Sequence, residues 1–217
     1  MDKKPISGVL FDMDGLVLDT ETLYCRFWQE AAQALGFPMT RQQALSLRSL
    51  GRQDVQEKLN RWFGPDAQYD PVRNKRIQMM DAFIACHGVS PKPGIYQLLD
   101  ALEARHIPAA IASSSPMDRI REYLTPLGLY HRFQAICSGY DMPRGKPAPD
   151  IYLHAAAALH LPPQECLALE DSPAGILSAY RAGCLPVLIP DQDVPGEQTQ
   201  ALLYAQVSSL DQVIDLL

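Results

Sequence analysis

Long apolar runs are missing from this chain. No stretch of about 18 uncharged apolar residues occurs, which excludes a transmembrane helix. The start, MDKKPISGVLFDMDG, has neither the apolar core nor the small-residue cleavage site of a secretory signal. Clustered basic residues are lacking too. The 19 Lys and Arg are outnumbered by 25 Asp and Glu, a formal charge of −6, and no basic stripe offers itself to nucleic acid. The five cysteines, Cys25, Cys86, Cys137, Cys166 and Cys184, are odd in number, far apart and form no C-x-x-C. That excludes a disulfide framework or a thiolate zinc site, and they read as small buried hydrophobes of a reducing compartment. The five histidines have no ligand spacing. Repeats and low-complexity segments are absent, and a hydrophobic content of 47% excludes disorder. The expectation is a soluble, cytoplasmic, monomeric globular protein with no nucleic-acid or membrane partner.

What is present is a series of short apolar runs, each ending in polar residues. Gly8–Phe11 ends at Asp12, Ala109–Ala112 at Ser113, Ala135–Cys137 at Ser138, Cys166–Leu169 at Glu170, and Leu185–Ile189 at Pro190. The runs are continuous rather than alternating, as strands buried on both faces require. Between them lie helical stripes such as Ile95, Leu98, Leu99, Leu102 and Ile120, Tyr123, Leu124, Leu127. Strands alternating with helices predict an α/β fold, a doubly wound parallel sheet. The 18 prolines fall mostly at element boundaries. Ser115-Pro116 and Ser172-Pro173 each fit a helix N-cap followed by proline at the first helical position.

One stretch breaks the alternation. Residues 16–90 carry helical stripes (Leu23, Phe27, Ala31, Leu35; Val55, Leu59, Trp62; Ile77, Met80, Ile84) but no strand pattern. So long a segment is not a simple loop. It reads as a helical domain inserted after the first strand, with residues 1–15 and 91–217 forming the α/β core.

In an open parallel sheet, ligands bind beyond the carboxyl ends of the strands. There the sequence places Asp12 and Asp14, then Ser113 and Ser114, then Lys146, then Glu170 and Asp171. Carboxylates are hard oxygen donors that suit Mg²⁺. Lys146 and the Ser113 hydroxyl, with main-chain N–H groups at a helix start, suit a phosphate. Asp12 beside a cation and a phosphoryl group can act as a nucleophile, and Asp14 as acid and then base. The combination predicts phosphoryl-transfer chemistry.

Phe11-Asp12-Met13-Asp14-Gly15 with Asp19, then Ser113, Lys146 and Glu170-Asp171, resembles the motif set of the haloacid dehalogenase superfamily. Asp19-Thr20-Glu21, Gly145-Lys146-Pro147-Ala148-Pro149-Asp150 and Glu170-Asp171-Ser172 are similar to its β-phosphoglucomutase-like and sugar-phosphate phosphatase subgroup. The resemblance implies a Rossmann-like core with an α-helical cap, the inserted stretch. It implies Asp12 as nucleophile and Asp14 as acid/base. Phosphate would be held by Ser113, Ser114 and Lys146, and Mg²⁺ by Asp12, Glu170, Asp171 and the Asp14 carbonyl. Arg52, Lys75 and Tyr24 are the cap candidates for substrate contact. The expected activity is Mg²⁺-dependent hydrolysis of a small phosphorylated metabolite, a sugar phosphate. Tyr24 stands where mutases of this subgroup carry histidine, which favours hydrolysis over the alternative, a sugar phosphomutase. A phospho-acceptor signalling module, which also uses acidic strand ends on a parallel sheet, is the reading of a different class. The chain's length, and a second carboxylate placed to activate water, count against it.

Overall fold

The structure is a computed structural model that describes residues 5–48, 50–191 and 196–217. Its sheet contains β1 (Gly8–Phe11), β2 (Ala109–Ser113), β3 (Ala135–Ser138), β4 (Cys166–Glu170), β5 (Leu185–Leu188) and β6 (Ala205–Gln206). The spatial order is β3-β2-β1-β4-β5-β6 and every pairing is parallel. The doubly wound α/β expectation holds. The edge strand β6 escaped the sequence reading, since two residues are too few to show an apolar run.

Because strand side chains alternate, residues of one parity share a face. Leu10, Ala110, Ala112 and Ala168 pack with Ile151, Tyr152, Ala155, Ala156, Ala179 and Ala182 in one buried cluster. The small alanines let the helices approach the sheet closely. On alternate positions Val9, Phe11, Ile111, Leu167 and Leu169 are also buried, and Phe11 meets Phe133 edge-on with ring centroids 5.4 Å apart. Burial on both faces is why the strands read as unbroken apolar runs. Each such large side chain contributes about 1.5–3 kcal/mol.

Contact density divides the chain into two compact units, one ending at Leu18 and resuming at Ser90, the other Asp19–Val89. The second unit holds α1 (Thr20–Ala34), α2 (Arg41–Leu45), α3 (Arg52–Phe63) and α4 (Tyr69–His87), and among its described residues no strand occurs. It has its own core of Ala31, Met39, Leu47, Val55, Leu59 and Val72. The boundary falls after Leu18 rather than at residue 16, for a local reason. After β1, Gly15 adopts φ 86°, and the N–H groups of Val17 and Leu18 both bond back to the Met13 carbonyl at 3.0 Å. Leu18 is then bridged to Asp14 and to Pro91. A residue with a Cβ would be strained at Gly15.

The first unit also holds α5 (Ile95–Ala104), α6 (Met117–Leu124), α7 (Asp150–Ala158), α8 (Pro173–Ala182) and α9 (Glu197–Gln200). Ser172 caps α8 as expected, accepting from the Gly175 N–H, with Pro173 at the first helical position. The matching expectation for Ser115 fails. Pro116 is the N-cap of α6 and no side chain caps it, because the Ser115 hydroxyl is bonded to Asp14 instead.

Candidate active site

The site assembles from four chain segments at one sheet edge. Asp12 follows β1, and its N–H bonds to the Leu169 carbonyl at 3.1 Å, which extends the β1–β4 ladder by one residue. Glu170 closes β4 and Asp171 follows it. Both neighbouring strand ends are anchored by the ladder, so their carboxylates converge without a flexible loop between them. Ser113 ends β2. Lys146 comes from the loop between β3 and α7.

Lys146 is the hub. Its Nζ donates to Asp12 Oδ1 at 2.5 Å and to Glu170 Oε1 at 2.6 Å. It also lies 5.1 Å from the centroid of the Tyr152 ring, a favourable place for a cation. Tyr152, on α7, donates its phenol to the same Glu170 oxygen at 2.6 Å. Ser172 donates to Glu170 Oε2 at 3.1 Å and accepts from the Gly175 N–H at the same distance. One serine thus joins the helix cap of α8 to the site. Asp12 is 8% exposed, Asp171 4% and Glu170 0%.

Burial governs the protonation balance. It pushes the Asp12 carboxyl up to about 7, with Glu170 and Asp14 adding to the rise and Lys146 opposing it. For Lys146, burial favours the neutral amine, but the Asp12 and Glu170 carboxylates outweigh it and raise its pKa above the ordinary lysine value. Lys146 is therefore a fixed cation. Tyr152 is driven well above its usual phenol range by burial and by the charges of Glu170 and Asp12, so it stays a proton donor.

Carboxylate oxygens of Asp12, Glu170 and Asp171 lie within 4.8 Å of one another. The donor set is oxygen only, which fits a hard divalent cation. The three carboxylates outnumber the single ammonium among them, so a cation would complete their charge balance. Glu170 is the least available of the three, since both its oxygens already accept from Lys146, Tyr152 and Ser172.

Asp14 is half-buried. Its Oδ2 accepts from Ser115 Oγ at 2.8 Å, and its Oδ1 is buried with no protein partner. The Ser113 hydroxyl is fully buried, accepts from the Ser115 N–H at 3.0 Å, and keeps its own proton to donate. Ser114 is exposed at the start of the following turn. The predicted core residues therefore sit at or just after neighbouring strand ends, with Lys146 reaching in from the β3–α7 loop. Tyr152, Ser115 and Gly175 join them without having been foreseen. Ser115 was in view as a helix cap, within a run of three serines. Nothing in the sequence singles out Tyr152; only the fold turns its hydroxyl toward Glu170.

The cap candidates do not gather. Tyr24 lines a cavity of the helical unit that neither Arg52 nor Lys75 lines. Arg52, exposed at the start of α3, pairs with Asp70 and lies 5.5 Å from the Tyr69 ring centroid. Lys75 donates to Gln78 Oε1 at 3.2 Å along its own helix.

A family model of haloacid dehalogenase-like hydrolases matches residues 6–183. The chain belongs to the haloacid dehalogenase-like hydrolase family. Among the relatives of this hydrolase, β-phosphoglucomutase of Bacillus subtilis is 30% identical over 188 residues, 84% of this chain and 82% of that one. Hexitol phosphatase B of Escherichia coli K12 is 27% identical over 213 residues, 97% of this chain and 95% of the relative. A haloacid dehalogenase family hydrolase of Deinococcus radiodurans R1, crystallised with phosphate and sodium, superposes with a TM-score of 0.80 at 25% identity, covering 99% and 98% of the two chains. The protein is an enzyme of the phosphatase group of this family, and its buried acidic cluster has the donors to hold a metal ion. No helix among the described residues is long and apolar enough to cross a membrane.

Proposed function

We propose that this hydrolase is a Mg²⁺-dependent phosphatase acting on a small phosphorylated metabolite, a sugar phosphate, through an aspartyl-phosphate. The observation that carries the reading is Asp12 held beside Lys146 within the buried carboxylate cluster. Asp12 Oδ attacks phosphorus and the bond to the sugar oxygen breaks. Asp14 gives its proton to that leaving oxygen, so the sugar departs as an alcohol. Asp14 then takes a proton from water, whose oxygen attacks phosphorus. The Asp12–phosphoryl bond breaks, which returns both carboxyl groups and releases inorganic phosphate. Lys146, Ser113 and Ser114 bind the phosphoryl oxygens. A Mg²⁺ held by Asp12, Asp171, Glu170 and the Asp14 carbonyl would supply Lewis-acid stabilisation of charge on those oxygens.

Ser115 keeps Asp14 aimed by its bond to Oδ2, leaving Oδ1 for the substrate or water. The helical unit supplies the contacts to the rest of the sugar, with Arg52, Lys75 and Tyr24 as candidates. The net charge of −6 and five free cysteines support a monomer in the cytoplasm with no nucleic-acid or membrane partner. Phosphate release from a panel of sugar phosphates should require Mg²⁺, and Asp12→Asn should lower kcat by about a thousandfold or more. A variant that retains wild-type turnover would remove the nucleophile from Asp12.

The mutase relative favours one second reading, sugar phosphomutase activity. Tyr24 in place of histidine speaks against it. Conversion of glucose 1-phosphate to glucose 6-phosphate with a bisphosphate primer, slower than phosphate release, would set it aside.

A further inference from the structure

Helix α8 carries a winding stripe of residues at a spacing of three, beginning with its cap: Ser172, Gly175, Ser178 and Arg181. Successive members lie on adjacent helical turns. The first two meet Glu170. The Ser172 hydroxyl donates to its Oε2, and Gly175 leaves room for its carboxylate. The next two meet a different segment. The Ser178 hydroxyl donates to the Ala148 carbonyl at 2.5 Å, and the Arg181 guanidinium donates to the Pro147 carbonyl at 3.0 Å. Ser178 is fully buried. Alanine would suit that helical position better, and a mid-helix serine can bond back to its own helix. This one bonds outward instead.

The segment it holds carries Lys146. Between Ser138 at the end of β3 and Asp150 at the start of α7, no helix or strand forms. Pro143, Pro147 and Pro149 have no N–H with which to pin that stretch. A bond from the Ala148 N–H to the Gly145 carbonyl at 2.9 Å closes its turn, and α8 takes the two carbonyls that follow Lys146. From there the lysine reaches Asp12 and Glu170. A long, rotamer-rich side chain aims its charge only as well as its main chain is anchored.

We propose that Ser178, assisted by Arg181, is a positioning residue for Lys146. One helix sets Glu170 through Ser172 and Gly175, and sets the lysine's main chain through Ser178 and Arg181, so the ammonium meets a phosphoryl group at a fixed place. The proposal rests on the reading that Lys146 binds phosphoryl oxygens.

Titration calorimetry of the full-length protein with inorganic phosphate, in saturating Mg²⁺, tests this without turnover. Ser178→Ala should weaken phosphate by about fivefold or more. Ser178→Cys, which fills the space but donates weakly, should bind like Ser178→Ala. Arg181→Met should weaken binding by less, at a melting temperature near wild type, because its side chain is exposed. In a Lys146→Met background, Ser178→Ala should change affinity by less than about twofold, since the loop then has no ammonium to aim. Wild-type affinity in Ser178→Ala, or affinity restored by Ser178→Cys, overturns the proposal. So does an equal loss with and without Lys146, the pattern of a serine that only holds the fold together. Should Lys146→Met fail to fold, the comparison of Ser178→Cys with Ser178→Ala decides alone. If Lys146→Met folds and binds phosphate as tightly as wild type, the reading of Lys146 falls and the proposal with it. That variant therefore tells the two failures apart.

Discussion

Asp12 carries two demands that pull in opposite directions. As a nucleophile it must be ionised, yet burial lifts its carboxyl from 3.8 to about 7 in the metal-free protein. A carboxyl raised in the folded state favours folding while protonated, and that contribution is lost as pH climbs through the folded pKa. Metal-free wild type should therefore lose melting temperature relative to Asp12→Asn between about pH 4 and about pH 7. Saturating Mg²⁺ should close the gap. A difference that stays flat with pH would mean that Lys146 alone keeps Asp12 charged. Tyr152 works one step further out, as a positioning residue. Tyr152→Phe removes the phenol from a buried charged acceptor, at a cost of about 1–3 kcal/mol in a denaturant melt. If the phenol holds Glu170, and through it Lys146, kcat should fall while KM barely moves. Equal kcat in both proteins would reduce Tyr152 to a core residue.

At the scale of elements, the start of α8 is where packing and chemistry meet. Ser172 caps the N-terminus of the helix and bonds Glu170, and the first helical turn presses Gly175 against the same carboxylate. A Cβ on Gly175 would sit 1.9 Å from Glu170 Cδ and Oε1, far inside contact distance. Gly175→Ala should cost about 2 kcal/mol or more and depress turnover, because Glu170 must swing away from Lys146. Chemical denaturation and a phosphatase assay would read the two effects together. Were stability to fall with turnover intact, the Glu170–Lys146 bond would not matter to the reaction. This constraint could not be read from the chain: Gly175 looks like any helix-weakening glycine until β4 and α8 are brought together. Asp12, Ser113 and Glu170, by contrast, stood out because each interrupts an apolar run at its end. Ser115 shows the limit of local rules. Its sequence context reads as a helix cap, but Asp14 competes for its hydroxyl and wins.

For the whole molecule, the two units have separate cores, and the segments that join them lie side by side. Leu18 is bridged to Pro91, and the Lys92 N–H bonds to the Val17 carbonyl at 2.8 Å. Replacing residues 19–89 by a short flexible linker should leave an α/β unit that unfolds cooperatively and is stabilised by Mg²⁺, as ligand binding to the native state requires. A non-cooperative melt, or one indifferent to Mg²⁺, would show that the sheet edge needs the helical insertion to form its metal site. The sequence by itself determined the fold class, the inserted helical stretch and the strand-end residues, because burial on both faces and its polar interruptions are written as local patterns. Only the tertiary structure decided which groups meet: Tyr152 on Glu170, Ser115 on Asp14, Gly175 against the site, and Ser178 on the loop of Lys146. Most of those contacts join residues far apart in the chain, and their chemistry depends on distances of a few ångströms that no periodicity encodes.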